Sequence, residues 1–460
     1  MVDCYYDEAV DSAGRPRPGY REVLDALATT QPGELQRRVC AAVRQMGMTF
    51  GDDEGHVLTV CPIPRLIHDE EWALLQRGLA QRAQALNAFI ADVYGDQEII
   101  RAGLIGSQVI AAADHFEPAM AGVSPPGGYA PIIGFDLVRG SDGQLRVLED
   151  NLRTPSGFAY SVAVRRAVES EFPLTARRRI PLDPSFGPLR QLLSEAAGGI
   201  EHPRAALLSD GPSNSAWFEH RTLARRLGIP VVTPDKLRLQ RGRLCVVLPS
   251  GQVRPLDVVY RRTDEDQLHD DHGRPTWLGE LVLEPLKRGQ LGVVNAPGSG
   301  VGDDKLVHAY VEDMIRFYLS EEPLIESVRT YDLTRADKLT KVLGRLSGFV
   351  IKPRSGSGGD GVLIGAKATR EERERVAAAV RAAPNEFVAQ ETVNLSRLAT
   401  VVENRVEPRH VDLRVFSVGS GPGAVVLPGP LTRVALHSGS MIVNSSQGGG
   451  VKDTWIIAGD

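Results

Sequence analysis

The sequence predicts an α/β protein built of several lobes, some of them α+β in character, and three observations carry that prediction. IIGFDLV (132–138) and QLRVLEDN (144–151) read as strands joined by a Gly-Ser-Asp-Gly turn at 140–143, which is a hairpin signal. Between residues 204 and 297 strand patterns alternate with helical ones, as in a parallel sheet with crossover helices. The first 110 residues carry apolar stripes at helical spacing. At 460 residues the chain exceeds one ordinary core, so two or three lobes are expected.

In chain order, SAGRPRPG (12–19) reads as a turn segment. Helical periodicity runs from Glu22 to Met46 and from Trp72 to Tyr94, the second with a stripe of Leu74, Leu75, Leu79, Leu86, Phe89 and Ile90. Such stripes are core, so this region is expected to be mainly helical and chemically quiet. FEPAMAGVSPPGGYAP (116–131) separates it from the hairpin. RAALLSD (204–210), a helix from about Ser213 to Leu227, IPVVT (229–233), LDVVYRR (256–262) and GVVNAP (292–297) form the alternating stretch. A helix is expected from Asp304 to Leu319, and FVIKP (349–353) and VLIG (362–365) flank a glycine loop. A charged helix covers about 369–383, and strand-like segments run to the end.

Composition narrows the function classes. Hydrophobic residues at 42% and charged residues at 24% are ordinary for a globular protein. A net charge of −5 without a long basic run argues against a broad nucleic-acid footprint. Cys4, Cys40, Cys61 and Cys245 form no CxxC pair and no metal spacing, and read as reduced thiols. No apolar run reaches membrane-spanning length and no secretory signal is visible, so a cytoplasmic protein is expected.

GSGGDG (356–361) matches a dinucleotide-binding glycine pattern. That fold needs a helix after the loop, and here a strand follows. The HVDL run at 410–413 does not make a eukaryotic-type protein kinase: Ser417 stands where the catalytic loop wants Asn, no DFG follows, and Lys352 precedes the loop, all of which argue against that family. A glycine hairpin can nevertheless fold over nucleotide phosphates, with Lys352 reaching them from the end of a buried strand. Glu149 and Asn151, two apart on one strand, share a face, while Asp150 points to the other side. With Asp136 from the paired strand they make a hard-oxygen set suited to Mg²⁺, completed by phosphate oxygens. Asp412, Arg414 and His410 share another strand face, and Arg433 lies in LTRVAL; arginines there can neutralise a transferred phosphoryl group, or serve structural ion pairs. MIVNSSQGGG (441–450) ends a strand in Asn444 and a glycine turn.

Together these residues resemble the ATP-grasp superfamily in its circularly permuted branch, related to glutathionylspermidine synthase, over roughly residues 131–157 and 204–460. In the usual order an α/β pre-domain comes first and the D…ExN metal motif last. Here GFDLVRGSDGQLRVLEDNLRTPSG resembles that final segment yet precedes the pre-domain. The resemblance implies a circularly permuted ATP-grasp fold with a mainly helical region at 1–115 and a metal-binding hairpin at 131–160. It further implies a parallel pre-ATP-grasp domain at 200–300 and nucleotide-binding lobes at 301–460. It implies that Lys352 contacts the α/β-phosphates of ATP and that Lys305 is the earlier nucleotide-binding lysine, with a loop of Gly356, Ser357, Gly358, Gly359 and Gly361 over the phosphates. Gln390, Glu391, Thr392 and Val393 are the implied adenine hinge. Arg414 and Arg433 are implied phosphate-binding catalytic residues, with Asn444 near the metal and Asp136, Glu149 and Asn151 as its ligands.

The activity so implied is ATP- and Mg²⁺-dependent joining of a carboxylate, free or in a peptide, to an amine through an acyl phosphate. Arg153, with Thr154 and Ser156, stands beside the metal motif and is the candidate holder of the acceptor carboxylate. Two other classes stay open at this point: an ATP-binding regulatory or scaffolding module without turnover, and a phosphotransferase on a non-carboxylate acceptor. The substrates and the oligomeric state are not legible.

Overall fold

The protein is described by a computed structural model covering residues 5–51, 56–172, 179–270, 272–356, 361–441, 443 and 448–457. The helix expected from Glu22 to Met46 is two helices, α1 (Tyr20–Ala28) and α2 (Pro32–Gln45). Pro32 lacks the N–H that would continue the first helix and instead opens the second, where that donor has no partner to lose. Leu35, Val39 and Val43 of α2 recur every fourth residue and are fully buried. Strand β1 (Val60–His68), absent from the helical reading of this region, comes next and is buried almost throughout. Helix α3 (Asp69–Val93) follows. Leu75, Leu79, Leu86, Phe89 and Ile90 of its stripe are buried, whereas Leu74 is 40% exposed. The helical turn of about 100° per residue carries it off the buried side.

The hairpin forms as the sequence predicts. Strands β2 (Ile132–Arg139) and β3 (Leu145–Asn151) pair antiparallel, with Asp136 opposite Glu149 and Gly134 opposite Asn151. Past Asp136 the register shifts, so that Leu137 faces Val147 and Leu148 is the extra residue of a bulge. After helix α4 (Phe158–Glu171) comes the alternating stretch. It consists of β4 (Ala205–Leu208), α5 (Trp217–Leu227), β5 (Val231–Val232), β6 (Val258–Arg261), α6 (Trp277–Lys287) and β7 (Gly292–Val294). Its strands form the expected parallel sheet, in the order β7-β6-β4-β5.

The helix expected from Asp304 to Leu319 is broken into a 3-10 turn (Val307–Tyr310), one α turn (Val311–Met314) and a π turn (Ile315–Leu319). Asp304 holds its start as a turn, accepting the N–H groups of Leu306 at 2.8 Å and Val307 at 3.3 Å. Beyond it lie β8 (Thr330–Asp332), α7 (Ala336–Gly344), β9 (Phe349–Pro353), β10 (Leu363–Ile364), α8 (Arg370–Ala382) and β11 (Phe387–Glu391). The four strands form an antiparallel sheet, β8-β11-β9-β10, in which β9 and β10 flank the glycine loop. A capping box of Thr369 and Glu372 starts α8.

Strands β12 (Arg397–Val402), β13 (Arg405–Val418), β14 (Leu431–Val434) and β15 (Gly450–Ile457) return to the hairpin. The resulting eight-stranded sheet runs β1-β15-β14-β13-β2-β3, with β12 and a short strand, Val425–Val426, also paired to β13. Mid-chain hairpin and C-terminal strands thus complete one sheet, as a permuted order requires. Ile133, Phe135, Leu137, Leu413 and Val415 pack with α3, whereas Val411, Leu431, Val434 and Trp455 pack with α2 and α4. By strand alternation Asp136, Asp412 and Arg414 face away from α3. No helix among the described residues is long and apolar enough to cross a membrane.

Candidate functional site

The sheet register assembles a buried charge cluster. Arg414 lies opposite Asp136, and Asp412 opposite Arg433. Arg414 donates to both oxygens of Asp136, at 2.6 and 2.7 Å. Arg433 donates to Asp136 at 2.9 Å and to Asp412 at 2.5 Å. Burial pushes both carboxyls up. For Asp136 the two arginines outweigh it and hold the carboxyl down at about 2. Asp412 shares only Arg433 and feels the charge of Asp136, so burial wins and it is raised. Arg433 is raised despite its burial, because both carboxylates hold its proton.

The hairpin bulge sets the rest of the geometry. It turns Val147 into the apolar core beside Leu137, while Glu149 and Asn151 stay on the side of Asp136. Asp150 points the other way, as strand alternation predicts, and accepts from Arg82 of α3 at 2.6 and 2.7 Å, with His308 Nδ1 at 2.7 Å. Asn151 donates its amide to the Gly134 carbonyl at 3.1 Å, which leaves the amide oxygen as an acceptor. Asn295, which sequence reading passed over, ties this hairpin to the end of β7. It donates to the carbonyls of Ile132 and Leu152, both at 2.6 Å, and accepts the Ile132 N–H at 3.0 Å.

Lys352 ends up half-buried, donating to Gln390 Oε1 at 2.7 Å, and loss of hydration lowers its pKa. Lys305 donates to the carbonyls of Gly356, at 2.5 Å, and Arg354, at 3.2 Å, so it holds the entrance of the glycine loop. Arg354 is itself anchored on Asp304 at 2.8 and 2.9 Å. Gly361 closes the loop with φ +69°, a conformation that favours glycine. Ser357, Gly358, Gly359 and Asn444 lie outside the described residues. Glu391 accepts the Tyr331 hydroxyl at 2.6 Å, so its carboxylate is tied within the lobe.

Four cavities follow one another along these residues. The first, about 690 Å³, has Glu391, Thr392, Val393, Thr330 and His308 in its wall. Thr330 and His308 are shared with a narrow one of about 20 Å³ that also holds Lys352, Gln390, Glu149 and Lys305. Glu149, Asp303 and Lys305 lead on to a third, about 230 Å³, with Asn151, Arg153 and Gly356. Asn151, Arg153 and Asp303 lead to the fourth, about 220 Å³, with Thr154, Ser156, Arg414 and Arg433. Every described site residue predicted from sequence except Asp136 and Gly361 therefore lines this trough, and Asp136 lies directly behind Arg414 and Arg433.

Arg153 sits at the junction of the last two cavities. Its guanidinium donates to Asp303 at 2.7 Å and to Asp266 at 3.0 Å. Ser156 is set by its neighbours: its hydroxyl accepts from Arg262 at 2.5 Å and its carbonyl from Arg414 at 3.1 Å. Asp303, Asp266 and Arg262 were missed because no motif in the sequence marks them. Arg153 needs Gly300 beneath it, since a Cβ there would meet His115 Cβ at 2.5 Å and Arg153 Cδ at 2.8 Å. Gly300→Ala is therefore expected to cost about 1–3 kcal/mol by overpacking, read from urea unfolding.

The walls suit a nucleotide and its metal. His308 Nε2 and Thr392 Oγ1 are buried at the wide end without a hydrogen-bond partner among the described residues. That is the arrangement expected where a ligand supplies the missing partners. Glu149 and Asn151 offer one carboxylate and one amide oxygen, the small protein share that Mg²⁺ takes when phosphates complete its shell. Both oxygens of Asp136 are engaged by Arg414 and Arg433, so direct ligation by Asp136 would require those contacts to open. No group of three or more His, Cys, Asp or Glu among the described residues can hold a metal unaided.

The model of the family described as circularly permuted ATP-grasp type 2 matches residues 64–435. A Synechocystis protein described as uncharacterised is 40% identical over 99% of this chain and 97% of its own length. A Frankia alni protein provisionally named glutamate–cysteine ligase 2-3 is 41% identical over 98% of this chain, which spans only 54% of that protein. A glutathione synthetase-like effector from Globodera pallida, solved in apo form, superposes with a TM-score of 0.60 over 93% of this chain and 98% of its own. At 13% identity that likeness shows the fold alone. With the permuted sheet order and the family match in agreement, the chain belongs to the circularly permuted ATP-grasp family, type 2.

Proposed function

We propose that the protein is an ATP- and Mg²⁺-dependent ligase that joins a carboxylate to an amine through an acyl phosphate. One observation carries this reading: the trough with Lys305, Lys352 and Gln390 runs on, past Glu149 and Asn151, into a separate arginine-lined cavity. A nucleotide site alone has no use for the second cavity, whereas phosphoryl transfer to a bound acid does. Family membership and the ligase name of the Frankia relative support it.

In this reading the hinge at Gln390 to Val393 borders the base, and Lys352 and Lys305 face the phosphates. Glu149 and Asn151 would hold Mg²⁺, with Asp136 behind them. The bound metal would supply charge neutralisation for the phosphate oxygens. The acid lies in the fourth cavity, its carboxylate against Arg153 and the Thr154–Ser156 turn. Its oxygen attacks Pγ, the bond from Pγ to the bridging oxygen breaks, and ADP departs. Arg414 and Arg433 are fixed beforehand by Asp136 and Asp412, so they meet developing negative charge without reorganising. Amine attack then forms the C–N bond and expels phosphate. An amino acid or peptide suits the relative's name, and a polyamine as the amine is the finer form of the reading, taken from the resemblance to glutathionylspermidine synthase.

Products formed from Mg-ATP with a mixture of amino acids, dipeptides and polyamines, identified by mass spectrometry, test the proposal. ADP, phosphate and an amide in equal amounts are expected; ADP with a stable phosphorylated product would identify a kinase instead. Arg153→Ala is expected to raise the KM for the acid by about 10- to 100-fold, the worth of one charge-assisted contact. An unchanged KM would remove Arg153 from that role.

A further inference from the structure

Resting on this ligase reading, we propose that His115 is the general base that accepts a proton from the attacking amine. His115 lines the third cavity with Glu149, Asn151, Arg153 and Lys305, where phosphate and acid ends of the trough meet. It lies in the N-terminal stretch read from sequence as helical and quiet, just after its last short helix. Its Nδ1 is buried, with Asp266 Oδ1 at 3.4 Å as its nearest acid and no hydrogen bond among the described residues. The side chain as a whole keeps 27% exposure and lines the cavity, which leaves Nε2, and not the buried Nδ1, as the nitrogen to take up a proton.

The surroundings suit proton acceptance. Burial pushes the Asp266 carboxyl up, but contacts from His115, Arg153 and Arg261 outweigh it and hold it well below the usual carboxylate range. A persistent carboxylate behind Nδ1 stabilises the imidazolium formed when Nε2 takes a proton. Arg153 spans Asp266 and Asp303, so one guanidinium links the acid-holding turn to the carboxylate behind His115. Gly300 allows both side chains this close approach. The other carboxylates are committed or remote: Glu149 to the metal in the ligase reading, Asp303 to Arg153, Asp304 to Arg354 and Asp150 to Arg82, while Asp114 is exposed at the rim. Glu117, buried nearby and raised to about 7 chiefly by that burial, accepts the Leu268 N–H at 2.6 Å.

An amine arrives as an ammonium ion with no lone pair to use. One proton passes to His115 Nε2, and the freed pair attacks the acyl carbon. The C–N bond forms, the bond from carbon to the phosphate oxygen breaks, and phosphate leaves with a second amine proton as hydrogen phosphate. The products are the amide, hydrogen phosphate and imidazolium, which balances atoms and charge.

The test compares two amines, methylamine and hydroxylamine, with Mg-ATP and a mixture of the standard amino acids as acids. Hydroxylamine is largely unprotonated near neutral pH and needs no base. His115→Gln is expected to form hydroxamate within about twofold of wild type, yet to form N-methylamide about 10²-fold more slowly. Raising the pH should restore the variant's amide rate by about tenfold per unit as free methylamine grows. Equal loss with both amines would overturn the proposal in favour of a structural role, and no loss with either would also overturn it. Wild-type enzyme that makes amide but no hydroxamate would instead refute the acyl-phosphate reading itself.

Discussion

Glu149→Gln is expected to lower ATP turnover by about 10³-fold or more while leaving the unfolding midpoint close to wild type. The loss follows from exchanging a trough carboxylate that carries no arginine, beside the narrow passage lined by Lys352 and Lys305, for a neutral amide. Among the described residues its neighbours Asp136, Asp150 and Asp303 each carry an arginine, and Glu149 does not. A metal clamp on the phosphates contributes several kcal/mol of transition-state stabilisation, and each 1.36 kcal/mol is a factor of about ten. The fold should tolerate the change because Gln keeps the shape of Glu and no backbone contact depends on the charge. ADP release measured against Mg²⁺ concentration checks it. A variant within tenfold of wild type would show that Glu149 does not hold the metal.

Arg433→Met is expected to destabilise the protein by about 3–5 kcal/mol, the cost of leaving a buried carboxylate without its partner. Arg433 is the shared donor to Asp136 and Asp412, and removing it leaves two buried acids facing each other across adjacent strands. The pH dependence has a defined sign. In wild type Asp136 lies at about 2, below its ordinary value of 3.8, so its contribution is present above that value and lost as pH falls toward about 2. In the variant Arg414 still pairs with Asp136, while Asp412 loses its own donor and is raised further by burial and by the charge of Asp136, so lowering the pH from 7 toward 5 protonates Asp412 and recovers stability. In the wild type Asp412 is raised less, because Arg433 offsets part of its burial, so the gain on acidification is smaller. Urea unfolding at the two pH values measures the effect, and adding Asp412→Asn should recover part of the loss, because the two positions are coupled. A cost below about 1 kcal/mol at pH 7 would mean that water reaches the pair.

The order of the pieces was legible from the chain itself. The hairpin around residues 140–143 follows from turn chemistry and strand propensity, which are local. So does the shared face of Glu149 and Asn151, because side chains on a strand alternate whatever the strand later pairs with. The parallel sheet was visible because buried strands and amphipathic helices leave different periods. Recognising the hairpin as the missing last segment of a permuted fold rested on the resemblance to the ATP-grasp family, set against the hairpin's position before the glycine loop.

What the chain could not show depends on contacts between residues far apart in sequence. Helix periodicity is silent about a short buried strand, so β1 and its parallel pairing with β15 were missed. The break at Pro32 is locally encoded, but the apolar spacing that runs across it is equally compatible with one helix. The bulge at Leu148 has no composition signal, yet it alone lets Val147 enter the core while Glu149 faces the trough. Arg414 and Arg433 were chosen as phosphate ligands, and only sheet register revealed that Asp136 and Asp412 hold them in place. Arg153 likewise owes its position to Asp303 and Asp266, more than 100 residues away. Local sequence determined the elements and the chemical types they carry. Tertiary structure decided which charges meet, because burial and register fix pairings that no short window of sequence contains.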